Sequence, residues 1–324
     1  MPTPRPLLHA LGNISIVYLV VLVVFGLMST KFLEPRNLMN ILLQSSASAI
    51  VAIGITFTLL TAGIDLSVGS IMFLAAAVAG KMVLAGASVP LALVVIVLIG
   101  LAVGLINALA IAGFGMQPFI VTLATLFVGR GLALLVTQTR AMNLPESLLK
   151  TGSAKVLGVP LPILVLVLVI ALANLVLSQT SFGRQVYAVG GDLEAAKKAG
   201  IKTRRVLAIC YVVCGVCAAI GGIVSVAQLG AVSPTFGYQR EFAAVAAAVL
   251  GGTSLFGGRG RVFPGTALGA ILIQTVESGL VIVNANPYVY PLIMSTIIFL
   301  TALVDSVRNG RLRSARRRII RMDK

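Results

Sequence analysis

Runs of about twenty apolar residues, repeated along nearly the whole chain, leave it one kind of fold. A helix advances 1.5 Å per residue, so crossing the roughly 30 Å hydrocarbon core of a bilayer takes about 20 residues. Apolar stretches occupy 11–29, 41–60, 68–85, 89–113, 116–137, 161–177, 206–229, 242–255, 262–283 and 288–304. In lipid every backbone polar group must be satisfied within the segment, and these runs are too continuous for the alternation of a membrane β-barrel. The expectation is therefore an all-α, polytopic transmembrane helical bundle of about ten spans, forming a single domain over 1–324. Composition agrees, with 58% hydrophobic and 10% charged residues and a mean hydropathy of +1.06, where soluble domains carry about one-quarter charged residues. Residues 14–29 read as the first span and not as a cleaved signal, because few basic residues precede them and no clear small-residue cleavage site follows. The eighth stretch is short and runs into Leu250-Gly251-Gly252-Thr253-Ser254-Leu255-Phe256-Gly257-Gly258, a composition expected to break a helix.

Charge sets the orientation. With an even number of spans both termini share one side with the loops after the second, fourth, sixth and eighth spans. That side collects Arg5, Arg184, Lys197, Lys198, Lys202, Arg204, Arg205, Arg259, Arg261 and the basic tail 306–324, against Lys31, Arg36, Lys81, Arg140, Lys150, Lys155 and Arg240 opposite. The positive-inside rule then predicts cytoplasmic termini. The same distribution accounts for the net charge of +16 through contact with anionic headgroups. No aromatic residues interleave the tail arginines as a nucleic-acid stacking surface requires.

The chemical inventory is thin. The chain has one histidine, His9, which excludes a histidine-based triad or a multi-histidine metal site, and it has no Gly-x4-Gly-Lys-Ser/Thr run to bind ATP. Cys210-x3-Cys214-x2-Cys217 has the spacing of an iron–sulfur ligand set. It lies in an apolar helix, however, where small buried hydrophobes in a packing seam are the expected role. In the loop 181–205, Asp192 suits an N-cap, Glu194 a first turn and Gly200 a C-terminal stop, predicting a short helix of roughly 12 Å with Ala195, Ala196 and Ala199 on a small-residue face. A partner's groove or a lipid surface would each suit such a face. Asp65, in Ala62-Gly63-Ile64-Asp65-Leu66-Ser67-Val68-Gly69-Ser70, is placed to cap the third span.

Several of these segments together resemble the membrane permease of ribose-type ATP-binding-cassette sugar importers. They are Gly63-Ile64-Asp65-Leu66-Ser67-Val68-Gly69-Ser70, Pro118-Phe119-Ile120-Val121-Thr122-Leu123-Ala124, Arg130-Gly131-Leu132-Ala133, Gly183-Arg184-Gln185-Val186-Tyr187-Ala188-Val189-Gly190-Gly191, Glu194-Ala195-Ala196 and Val249 through Gly260. The resemblance covers nearly the whole chain in order. It implies an inner-membrane subunit paired with a second permease, identical or related, around one pathway. It also implies a periplasmic sugar-binding protein on one face and, on the other, ATPase subunits that hold the ATP and magnesium, with no cofactor on this chain. The ATPase would dock on the helix built from Gly191, Asp192, Glu194, Ala195, Ala196, Ala199 and Gly200. Asp65, Ser67, Phe119, Thr122, Arg130, Gln274 and Glu277 are the residues expected along the pathway. Related permeases carry nucleosides or branched-chain amino acids. A stand-alone secondary carrier would be expected to show mid-membrane ionisable groups and internal repeats; the ionisable groups are few and no sequence repeat is visible.

The chain departs from the family pattern at Arg240-Glu241-Phe242-Ala243-Ala244-Val245, where an acidic-hydrophobic stretch loses its aspartate. It departs again at Glu277-Ser278, where two asparagines are expected. Arg130 and Glu277 fall at matching depths, roughly 21–23 Å above the inner edge. They are expected either to pair or to act apart, Arg130 on backbone carbonyls and Glu277 facing water and sugar hydroxyls.

Overall fold

A computed structural model describes residues 5–286 and 288–321, with side chains described from Ile14 to Val307 except at 287 and 304. The side chains of Arg5, His9 and the tail beyond 307 lie outside the described residues. Among the described residues the chain forms α1 (Arg5–Met28), α2 (Pro35–Leu60), α3 (Val68–Leu84), α4 (Val89–Ala108), α5 (Pro118–Thr137), α6 (Glu146–Ser153), α7 (Leu161–Gln179), α8 (Ser181–Gly191), α9 (Leu193–Lys198), α10 (Thr203–Leu229), α11 (Arg240–Leu250), α12 (Ala267–Ile282) and α13 (Val289–Arg321). Proline at the first or second position starts α2, α4, α5 and α7, where its missing N–H has no helical partner to lose. A π turn, Leu109–Gly113, extends α4. Seven helices are long and apolar enough to cross a membrane, and Ile14–Met28 and Val68–Leu84 are shorter apolar helices. The chain is a polytopic helical membrane protein.

At the centre α2 and α10 lie antiparallel. A Cβ on Gly54 would stand 2.7 Å from the Cβ of Cys217, and Gly221 packs on Val51 and the Ala47 carbonyl, so rising numbers on one helix meet falling numbers on the other. Cys210, Cys214 and Cys217 are free and buried; the last two sit in this seam as small apolar packing residues. Around the pair the remaining helices repeat one arrangement. α3 packs on α10, α4 and α5 as α11 packs on α2, α12 and α13, and α4 lies on α10 as α12 lies on α2. With α2 and α10 antiparallel, the two sets form an inverted repeat. It exists in the fold although the sequence shows none.

The eighth apolar stretch is short and ends at the glycine-rich run, as expected. α11 has 11 residues, about 16 Å of helix, half of a hydrocarbon core. Before it, residues 231–239 return from the end of α10 without helix, first pairing as a two-residue strand, Ala231–Val232, with Met142–Asn143. The reversal uses left-handed backbone at Gly237 (φ 70°) and Gln239 (φ 59°). Gly237 and Glu241 close directly on Gly69, in the first turn of α3, so α11 starts deep inside the bundle. The α2–α3 connection is also non-helical: α2 ends with Ala62 N–H bonded to Leu59 O and Gly63 N–H to Thr58 O, a Schellman closure with Ala62 left-handed at φ 61°.

Candidate functional site

A cavity of about 360 Å³ lies between α2, α3, α10, α11 and α12, within the range that takes small solutes. Gln44 and Ser48 come from α2, Ser225 and Gln228 from α10, Arg240 from the first position of α11, and Gln274 and Glu277 from α12. Leu43, Ala47, Val51 and Met72 supply the apolar wall. Several polar groups are already oriented. Gln274 Nε2 donates to Gln44 Oε1 (3.1 Å), Gln228 Nε2 to the Leu43 carbonyl (2.8 Å) and Arg240 to Ser48 Oγ (3.0 Å). Arg240 and Glu277 are both half-buried and do not form an ion pair with each other. The cavity thus holds one fixed cation and one fixed anion, balanced in sum, each free to meet a solute. It sits toward the end at which α2 begins and α10 finishes. Past Val51 every residue of α2 to Leu60 is buried.

Of the residues expected along a pathway, Gln274 and Glu277 line this cavity. Asp65, Ser67 and Thr122 do not; they are fully buried in a polar network behind it. Asp65 Oδ1 accepts from Ser67 N–H (2.9 Å) and Oγ (2.6 Å), Ser67 Oγ accepts from Asn107 Nδ2 (2.9 Å), and Asn107 Oδ1 accepts from Thr125 Oγ1 (2.7 Å). Thr122 Oγ1 donates to the Ile64 carbonyl (3.2 Å). The network ties the α2–α3 turn to α4 and α5. Phe119 is half exposed on the surface of α5 and does not line the cavity.

Arg130 and Glu277 are not brought together. The Arg130 guanidinium lies 5.5 Å from the Phe73 ring and 5.4 Å from the Tyr238 ring, and donates to the Pro234 carbonyl (3.4 Å). The non-helical stretch 231–239, with its free carbonyls and Tyr238, captures this arginine. Sequence reasoning missed Gln44, Ser48 and Gln228, and placed the Arg240–Val245 segment near the pathway without naming Arg240 as a cavity residue. Arg240 read as a charge of an outer loop because nothing in the sequence marks how far 231–239 folds back inward.

The loop 181–205 holds two helices. α8 carries its Thr180 cap, and α9, six residues long, is capped as expected by Asp192 Oδ1, which accepts from Glu194 and Ala195 N–H at 3.0 Å each. Gly200 takes the left-handed stop (φ 81°). The small-residue face is split: Ala196 turns inward into the main core at 4% exposure, whereas Leu193, Ala195 and Ala199 face outward with Glu194, Lys197 and Lys198. The burial of Ala196 follows from the Ile201 N–H bond to its carbonyl, which folds the following chain under that face.

Behind α9 three chain segments meet on glycine. A Cβ at Gly190 would collide with the Leu60 carbonyl and the Gly258 amide, and one at Gly257 would lie 2.7 Å from the Gly190 carbonyl. Gly258 N–H bonds Leu60 O (2.9 Å) and the Tyr187 hydroxyl donates to Gly260 O (2.9 Å). Burial pushes the Tyr187 hydroxyl above its ordinary range, with the Arg261 guanidinium opposing, so it remains a donor at neutral pH. Asp305 of α13 holds the far side of this loop, accepting from Ser254 Oγ (3.1 Å) and Leu255 N–H (2.9 Å).

A helical membrane bundle whose two halves repeat in inverted orientation around a polar cavity has the architecture of a permease. Residues 37–303 match the family described as branched-chain amino acid transport system, permease component. The chain belongs to that family, as a multi-pass inner-membrane permease subunit of a binding-protein-dependent ATP-binding-cassette importer. It is 35% identical over 298 residues to the ribose import permease protein of Haemophilus influenzae, covering 90% of this chain and 92% of that one. It is 36% identical to the Bacillus subtilis ribose import permease protein (90% and 91% covered) and 34% identical to the D-allose transport system permease protein of Escherichia coli (88% and 88%). No solved structure matches the chain.

Proposed function

We propose that the chain moves a monosaccharide-sized, uncharged sugar delivered by a periplasmic binding protein, driven by ATP hydrolysed on a separate subunit that also holds the magnesium. The likeness of nearly the full chain to permeases named for ribose and D-allose carries this reading, and the cavity fits it. Its carboxamides and hydroxyls suit a polyol, and the balance of Arg240 and Glu277 admits a neutral solute without leaving a net charge. The chain crosses the membrane ten times, counting α11 with its extended segment as one pass, and both termini are cytoplasmic. The cavity then opens to the periplasm and α9 lies in the cytoplasm, where Leu193, Ala195 and Ala199 dock the ATPase. A second permease subunit completes the pathway. A coupling ion has no part in this reading.

One observation favours a second solute. A guanidinium and a carboxylate that do not pair with each other could hold the carboxylate and ammonium of an amino acid, the class in the family's description. Uptake into proteoliposomes containing the permease, the ATPase that co-purifies with it and the binding protein separates the two. Labelled pentose or hexose is expected to enter and leucine not to compete. Glu277→Leu, which removes an acceptor from the cavity wall, is expected to lower sugar uptake roughly tenfold. Leucine uptake with no sugar uptake would transfer the assignment to amino acids.

The topology is tested separately. Ser147→Cys, on exposed α6, is expected to react with an impermeant maleimide added outside intact spheroplasts, and Lys198→Cys only after lysis. Both reacting from one side would remove the even number of passes.

A further inference from the structure

We propose that Tyr187 and Gly190 are positioning residues that carry displacement of α9 to Arg240 in the cavity, through the loop 251–260 and the half-length helix α11. The inference rests on α9 being the ATPase-docking helix. Two walls of the cavity are anchored at one place. The α2 wall, with Gln44 and Ser48, ends at Leu60, whose carbonyl bears on Gly190 and bonds Gly258. The α11 wall, with Arg240, runs directly into the loop that contains Gly258. Gly190 is the wedge between them.

The contact has no slack. It is backbone on backbone, with no side chain to change rotamer, so a shift of the α8 end must move Leu60, Gly258 or both. The Tyr187 hydroxyl fixes the same loop at Gly260 and Asp305 fixes it at Ser254 and Leu255. Gly251 packs against Gly265 at the end of α11, continuing the close backbone packing up to the helix. α11 then spans about 16 Å as a rigid rod, and its far end stops inside the bundle with Arg240 bonded to Ser48 of the opposite wall. Motion of α9 therefore alters the Arg240–Ser48 hydrogen bond between these two walls. The half length of α11 acquires a purpose: its tip is a cavity wall and not an outer loop.

The test uses the assembled importer in proteoliposomes and reads solute moved per ATP hydrolysed. Gly190→Ala is expected to retain the ATPase on purification and to lower that ratio about tenfold, within the usual range of coupling between sites. Tyr187→Phe, a change too small to prevent folding, is expected to lower it about threefold. Gly113→Ala, where an added Cβ meets nothing within 4 Å, is expected to match the unmodified chain. A residue that only stabilised the fold would reduce the amount of assembled complex and leave the ratio alone. An unchanged ratio in Tyr187→Phe, or an equal fall in Gly113→Ala, overturns the proposal. Failure of any ATPase to co-purify with the unmodified chain overturns the docking reading and this inference with it.

Discussion

Gly215→Leu is expected to abolish assembled protein, whereas Cys217→Ala, two residues on along the same helix, is expected to leave most of it. α4 and α10 cross in direct backbone contact: a Cβ on Gly215 would collide with the Gly100 carbonyl, and one on Gly104 would stand 3.0 Å from the Tyr211 carbonyl and the Val212 Cα. Inside a bilayer no hydrophobic gain holds helices together, so association depends on close van der Waals packing of small residues. A leucine at 215 forces the helices apart along the whole seam. The loss exceeds the few kcal/mol typical of overpacking and consumes much of a total stability of about 5–15 kcal/mol. Cys217→Ala deletes one sulfur from the α2 seam and should cost about 1 kcal/mol. Fluorescence-detected size exclusion of tagged protein measures both. A monodisperse peak of normal height for Gly215→Leu would mean that α4 and α10 do not cross there.

Asp65→Leu is expected to be the most damaging change outside that seam, and Asp65→Asn a mild one. Leucine removes the acceptor for two Ser67 donors at a fully buried site, and the loss passes through Ser67 Oγ to Asn107 and Thr125. Stranding such buried groups costs roughly 3–5 kcal/mol. Asparagine keeps one acceptor oxygen and should cost about 1 kcal/mol. The melting temperature in detergent should fall by about 10 °C for leucine and by about 3 °C for asparagine, at roughly 2–4 °C per kcal/mol. Equal falls would remove Asp65 as the anchor of the network.

What the sequence discloses is whatever depends on its own neighbours. The apolar runs place α2, α4, α5, α7, α10 and α12 within a few residues, because a span must hide its backbone from lipid whatever surrounds it. Asp192 and Gly200 define α9 for the same local reason. Where the outcome depends on a distant segment, the sequence is silent. Ala195 and Ala196 are identical in type, yet one is exposed and the other buried, because the chain after Gly200 folds under one side only. Arg130 finds Phe73, Tyr238 and Pro234 through the depth to which 231–239 returns. Arg240 enters the cavity for the same reason. The inverted repeat lies in helix pairings, which many different side chains can satisfy.

The antiparallel central pair also shapes the electric field inside the protein. α2 and α10, of 26 and 27 residues, point their macrodipoles in opposite directions, so their partial charges nearly cancel at each face of the membrane. The two helices that begin inside the bundle behave differently. The amino ends of α3 and α11 converge where Gly69 meets Gly237 and Glu241, placing two uncancelled positive ends of about half a charge each within the low-dielectric interior. Asp65 precedes one of these ends and Glu241 lies in the first turn of the other. Asp65 accepts the Ser67 N–H at the first end and the Glu241 carboxyl stands against Gly69 at the second, whereas Arg240 and Glu277 line the cavity.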